Sequence, residues 1–264
     1  MSAVVDAANV AVPMRRLSAT LVVLLAALFA AGAAVQAADL RVLASNGIKA
    51  AVEALEPQLE KASGSTLSIE FSTAATLRDR IEKGEPFDVA ILTDDAMDAL
   101  VRAGKVSPAL TRLARVGIGV GYRKGASRPE VGTGAAIKQS LLNAKTIAYT
   151  GNGASRPAID RMIGRLGIAK EMQAKSHLTA AGSAPASVAK GESDLVLTLI
   201  SEILPEPGVE LAGPLPPDFQ TYLGFSAGPS TSSASHAGAA RLIAFLHGSP
   251  AAATYRAKGM EAPQ

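Results

Sequence analysis

The chain has 264 residues, 48% of them hydrophobic, with a formal net charge of +3 and no cysteine. That suits one large or two small domains able to bury a core without cross-links. The missing cysteine excludes disulfides, a lipoprotein anchor, thiol nucleophiles and cysteine-based metal sites, and the balanced charge, with no basic run carrying interleaved aromatics, gives nucleic acid no footing.

Met14-Arg15-Arg16 supplies a basic start, and Leu17 to Val35 is apolar apart from Ser18 and Thr20. Val35-Gln36-Ala37 fits a small-residue processing site, so residues 1–37 are expected to be a cleaved secretory signal peptide delivering the protein to the periplasm. An uncleaved anchor is the alternative, because this apolar run approaches spanning length. Met1 and Met14 both remain possible starts. Residues 1–37 carry two arginines and one aspartate, so cleavage leaves a net charge of only +2.

Beyond the leader, strand and helix signals alternate. Leu40 to Ala44 reads as a strand that breaks at Ser45-Asn46-Gly47 into a helix with Ile48, Val52, Leu55 and Leu59 on one face. Leu67, Ile69 and Phe71 alternate as a second strand, turning at Ser72-Thr73 into a helix carrying Leu77 and Ile81. Asp88 to Leu92 is nearly all apolar, as in a strand covered on both faces, and Thr93 and Asp94 are placed to cap the helix holding Met97 and Leu100. This βαβαβα order indicates a parallel sheet between helices. Right-handed crossovers then bring the turns at Asn46, Thr73 and Thr93 to one sheet edge, where open α/β sheets bind ligands.

A second unit follows. Val116 to Tyr122 is a strand with Gly117, Gly119 and Gly121, glycines that suit a hinge or close backbone approach better than a dinucleotide loop, since no helix follows directly. Ala135 to Leu142 is helical, and Thr146 to Tyr149 is a strand breaking into Gly151-Asn152-Gly153-Ala154-Ser155-Arg156, with Pro157 as a first helical residue. Asp194 to Leu199 is a further buried strand, followed by Ser201-Glu202. After a Pro-rich stretch from Pro205 to Pro217, Thr221 to Ala227 reads as a strand, and helices around Leu242 to Leu246 and Ala251 to Ala257 close the chain.

Each strand-to-helix turn serves either as a plain helix cap or as an anion socket, since helix N-termini carry unpaired N–H groups and partial positive charge. Their recurrence favours a shared binding cleft. Arg156, a cation at a helix start, fits either beside a bound anion or paired with Asp160. Asp94 and Asp95 read as cap and surface groups, with a base at the cleft as the other option. His177, His236 and His247 lie far apart, so no metal site is expected, and no Gly-x-Ser-x-Gly elbow, P-loop lysine or His-Glu-x-x-His occurs.

Three segments, Arg41 to Val52, Phe71 to Leu77 and Ile81 to Leu92, resemble the bacterial periplasmic molybdate-binding-protein-like family of solute-binding proteins. Ser201 to Pro216 is similar to one branch of it, which also resembles periplasmic aconitate isomerase. The resemblance spans essentially the whole chain past residue 37. It implies a type II-like α/β fold of two lobes, each a mixed sheet flanked by helices, hinged by crossing strands. The lobes are expected at 38–117 plus 224–264 and at 118–223.

The resemblance further implies a monomer that closes over a small anion and delivers it to an inner-membrane ABC permease, with no cofactor. Its ligand positions fall on Gly47, near Ala74 with Thr73 beside it, on Thr93 and on Ser155, with a further backbone contact near Ala181-Gly182; the reading of the turns adds Asn46, Asn152 and Arg156 as donors. The family's two ligand serines fall on Gly47 and near Ala74, and its ligand tyrosine falls on Leu199, so three oxyanion-binding hydroxyls are missing. Each unmet polar group costs about 1–3 kcal/mol, whereas micromolar binding amounts to only about 8 kcal/mol. An organic carboxylate or an oxyanion other than molybdate is the expected ligand. The isomerase branch implies the alternative, a cofactor-free proton shift on an allylic tricarboxylate, whose base the sequence does not reveal.

Overall fold

The computed structural model describes residues 39–263, and the expected signal peptide lies outside them. Strand β1 (Leu40–Ser45) ends in a 3-10 turn, Asn46–Ile48, that runs straight into α1 (Lys49–Ser63). Next come β2 (Leu67–Ser72), α2 (Ala74–Glu82), β3 (Val89–Thr93) and α3 (Asp94–Arg102). A long strand, β4 (Thr111–Arg123), leads to α4 (Gly134–Asn143), β5 (Ile147–Thr150) and α5 (Arg156–Leu166). The order continues with α6 (Ala169–Lys175), β6 (Ser176–Thr179), α7 (Ala184–Ala189), β7 (Leu195–Leu199) and the single turn α8 (Ile200–Ile203). Strands β8 (Val209–Pro214) and β9 (Tyr222–Pro229) precede α9 (His236–His247) and α10 (Ser249–Ala257).

Two groups of strands share β4. In the first, β1 lies between β2 and β3, parallel to both, and β9 runs antiparallel to β3. In the second, β5 lies parallel to β6 and β7, while β7 and β8 flank β4 antiparallel. Along β4 the partner changes: Thr111 to Gly117 pairs with β9, and Ile118 to Tyr122 pairs with β7. The result is a two-lobed α/β fold of the periplasmic binding-protein type.

Strand periodicity explains the covering helices. In β1, Leu40, Val42 and Ala44 face one apolar cluster while Leu43 faces another, and β3 divides the same way between Val89 and Ile91 and Ala90 and Leu92. In β7, Leu195, Leu197 and Leu199 oppose Val196. Strands buried on both faces need helices on both faces, which is why β3 and β7 are apolar but for one threonine each. Helix α1 keeps Val52, Leu55 and Leu59 buried and continues through Pro57, whose ring ordinarily breaks a helix interior.

The crossing between the two groups is fastened by one side chain. Gln220 donates through Nε2 to the Ile118 carbonyl at 2.9 Å and accepts from the Ile118 N–H at 2.9 Å. Its amide thus imitates a strand partner at the residue where β4 changes neighbours. Gly117 leaves room for it, since a Cβ there would stand 3.0 Å from Gln220 Nε2. Gly119 and Gly121 mark close approaches: a Cβ at Gly121 would meet Val196 Cγ1 at 2.6 Å.

The Pro-rich stretch proved more ordered than its composition suggested. Within it, β8 pairs with β4 across a register shift between Val120 and Gly121. Prolines stay at the strand's rim, where no ladder bond needs their missing N–H. Helix α5 starts one residue earlier than expected, at Arg156, leaving Pro157 still within the first turn.

Candidate ligand cleft

A slot of about 20 Å³ gathers the turns from both strand groups. Its lining includes Ser45, Asn46 and Gly47 after β1, Thr73 and Ala74 after β2, Gly153 to Ser155 after β5, Gly182 after β6, and Leu199 and Glu202 after β7. That volume holds about one water, so the lobes are closed on each other. Three contacts cross the gap. Ser201 Oγ donates to the Gly47 carbonyl at 2.6 Å, and Asn152 Nδ2 donates to Thr76 Oγ1 at 3.1 Å. Gly182, at φ +74°, lets its backbone sit against the Asn46 amide, which a Cβ would approach to 3.1 Å.

The slot opens into a mouth of about 360 Å³, lined by Lys49, Glu53, Phe71, Ala181 and Ser201 and sharing Asn46, Gly182 and Glu202 with it. This is the size range of small-molecule sites. Lys49 Nζ lies 3.6 Å from Glu53 and 5.6 Å from the centre of the Phe71 ring. A roomier hollow of about 700 Å³ runs beside Tyr122, Arg128 and Asp194. It is lined by α4, the end of β4 and the loops beside them rather than by a gathering of strand-to-helix turns, so the smaller cleft is the better-built site.

The expected ligand residues separate into two sets. Asn46, Gly47, Thr73, Ala74 and Ser155 line the slot, whereas Thr93, Asn152 and Arg156 do not. Thr73 caps its own helix by accepting from the Thr76 N–H at 3.2 Å. No side chain caps the turns at Ser45, Ser155 or Leu199. Thr93 is buried, in register with Phe225 of β9, and makes no side-chain cap bond. Arg156 takes the ion-pair option: its Nε donates to both Asp160 oxygens, at 2.7 and 2.8 Å, and its guanidinium lies 4.8 Å from the Tyr149 ring centre.

Asp94 is tied elsewhere, accepting from Ser226 Oγ at 2.6 Å and lining a separate hollow with Arg112, Arg115 and Tyr222. Among the described residues, no group of three His, Cys, Asp or Glu side chains could hold a metal ion.

Gly47 has a steric reason to be glycine. A Cβ there would stand 2.5 Å from Phe225 Cζ and 2.6 Å from Leu199 Cδ1. The fully buried Phe225 ring and Leu199 therefore occupy the space a serine side chain would need. Only backbone can serve a ligand here.

Glu202 is the residue that sequence reasoning passed over. Among the described residues lining the slot it is the one titratable side chain, and it borders the mouth as well. The Thr198 hydroxyl donates to its Oε2. Burial pushes its carboxyl above the ordinary glutamate range, opposed by that hydroxyl and by the Leu199 N–H. The available signal was positional: Ser201-Glu202 closely follows a strand, as Asn46 and Thr73 do.

The fold and its cleft define a two-lobed binding protein, and the comparisons agree. Residues 40–261 match the bacterial extracellular solute-binding protein family, and the chain belongs to it. Aconitate isomerase of a Pseudomonas species is 31% identical over 230 residues, covering 84% of this chain and 87% of that protein. The periplasmic molybdate-binding protein of Azotobacter vinelandii superposes with a TM-score of 0.74 at 19% identity, over 85% of this chain and all of that one. Peb3 from Campylobacter jejuni gives 0.64 at 18% identity, over 85% of this chain and all of its own, and PEB3 is also known bound to L-phospholactate.

Proposed function

We propose that the cleft takes a small organic carboxylate anion, held by the turn amides of Asn46, Gly47 and Ala74 and the hydroxyls of Thr73 and Ser155. The carrying observation is that turns from both strand groups line one slot while the side-chain space at Gly47 is filled by Phe225 and Leu199. Helix N-termini favour negative charge, and backbone amides fit planar carboxylates as readily as tetrahedral oxyanions. The L-phospholactate held by PEB3 shows that related folds accept organic anions. In this reading the lobes are residues 38–117 with 224–264 and residues 118–223. They swing about the Ile118–Gln220 junction as a periplasmic monomer that receives its ligand and passes it to an ABC permease. Asn152 and Thr76 act as a latch rather than as ligand donors, and Thr93 and Arg156 as supports.

A second reading, cofactor-free isomerisation of an aconitate-type tricarboxylate, is favoured by one observation: a glutamate lines both the slot and its mouth, where a pure anion receptor gains nothing from it. The relative named as an aconitate isomerase supports the same reading.

A thermal-shift screen with molybdate, sulfate, citrate, tricarballylate and cis-aconitate tests the ligand class by mass action. Tricarballylate or cis-aconitate is expected to raise the melting temperature and molybdate to leave it unchanged. Stabilisation by molybdate alone would overturn the carboxylate reading.

A further inference from the structure

We infer that Glu202 is a catalytic acid–base residue, placed to carry a proton between two carbons of an allylic carboxylate bound in the cleft. The inference rests on the carboxylate reading above and deepens it.

The geometry carries it. Glu202 stands in the first turn after β7, at the seam where the slot meets the mouth, so a ligand whose carboxylates reach the slot amides brings its carbon chain past this side chain. The Thr198 hydroxyl, one residue from the end of β7, holds Glu202 Oε2, and the Leu199 N–H helps to orient the same carboxyl. Ser201, the preceding residue, is spent on the Gly47 carbonyl and offers no competing base. The charged groups facing Glu202 across the mouth are Lys49 and Glu53 of α1 and Glu206 beyond α8. Lys49 is partnered by Glu53, so no cation neutralises Glu202 directly. A base whose affinity for protons is raised by burial suits abstraction of a weakly acidic C–H.

The step balances without any co-reactant. The ionised Glu202 takes a proton from the methylene carbon next to the double bond: that C–H bond breaks and an O–H bond forms on Glu202. The freed electron pair spreads through the conjugated carboxylate as the double bond shifts by one carbon. Glu202 then returns the proton to the former vinylic carbon, forming a new C–H bond and regaining its charge. The slot amides hold the carboxylate oxygens where negative charge builds. Rotation before reprotonation yields either geometric isomer.

Proton NMR of cis-aconitate in D2O with the full mature chain, alongside calorimetry with tricarballylate, tests this. Wild-type protein is expected to bind tricarballylate, to exchange deuterium into the cis-aconitate methylene, and to form the trans isomer. Glu202→Gln is expected to keep tricarballylate binding and lose about 100-fold or more of the exchange rate. Glu202→Asp, which keeps the carboxyl but draws it back, is expected to fold, bind and exchange slowly. Thr198→Val is expected to shift the pH profile of exchange, which a purely structural loss leaves in place. Undiminished exchange in E202Q, or tricarballylate binding by the wild type with no exchange at all, overturns the catalytic role while the carboxylate cleft stands. Absence of both binding and exchange in the wild type overturns the cleft reading too.

Discussion

Two glutamates placed at opposite extremes show how this fold assigns charge. Glu85, on the flank of the first strand group, is hydrogen-bonded by Arg80 and lies near Arg41, and Arg80 holds it below the ordinary carboxylate range. Glu70 shares Arg80 and shifts the same way. Glu202 meets a hydroxyl and an amide but no cation, and burial moves it upward instead. The flank uses its carboxylates as anions in a mixed-charge network. The cleft instead gives one carboxyl a raised affinity for its proton beside a site for anions, which eases the repulsion a bound carboxylate would otherwise meet.

The largest effect expected from breaking that contrast is the loss of proton exchange in E202Q, which steady-state NMR rates will measure. Its stability should move the other way. Because folding raises the Glu202 pKa, the native state is favoured below the ordinary glutamate range and loses that advantage as pH climbs through the raised value. Melting curves across pH should therefore show E202Q gaining on the wild type as pH rises. Equal melting temperatures at every pH would show the carboxyl to be unperturbed.

Restoring a serine at position 47 comes next. Gly47→Ser drives a side chain into Phe225 and Leu199, and overpacking of this kind costs about 1–3 kcal/mol. Chemical denaturation should show the loss, and G47S should gain no molybdate affinity. Gln220→Ala removes its two bonds to Ile118, whose carbonyl keeps the Leu215 N–H at 3.0 Å, and about 1–3 kcal/mol follows where the Ile118 N–H is left unmet. Hydrogen exchange at the Ile118 amide would rise ahead of the rest of β4. Unchanged protection there would mean that the crossing is held by other contacts.

The smallest effect belongs to the flank. Arg80→Ala should cost about 1 kcal/mol or less at neutral pH, since these groups are partly solvated. Glu70 and Glu85, lowered by Arg80, contribute above the ordinary carboxylate range and lose that contribution as pH falls through their lowered values. The gap between R80A and wild type should thus close in acid, as melting curves can check.

Much of this was legible in the chain order. The nearly all-apolar runs of β3 and β7 and the alternation in β2 announced sheets covered by helices, and the small residues at Asn46 and Thr73 announced turns. What escaped depended on partners far along the chain. Strand β8 hides among prolines because its order comes from β4, and the short polar β6 exists because β5 pairs with it in parallel. Gly47 reads as a lost serine until Phe225 is seen in its place. Glu202 looks like one more acidic residue at a helix start, and only the meeting of slot and mouth sets it apart.

The most direct test is the heat of tricarballylate binding, measured at neutral pH in two buffers of different ionisation enthalpy. A carboxylate entering beside Glu202 raises its proton affinity, so a fraction of a proton enters with the ligand while the ionised fraction remains to act as base, giving buffer-dependent heats in the wild type that vanish in E202Q while binding persists. Binding with identical heats in both buffers, or no binding of tricarballylate at all, would contradict a cleft in which turn amides and one glutamate of raised proton affinity share the same ligand.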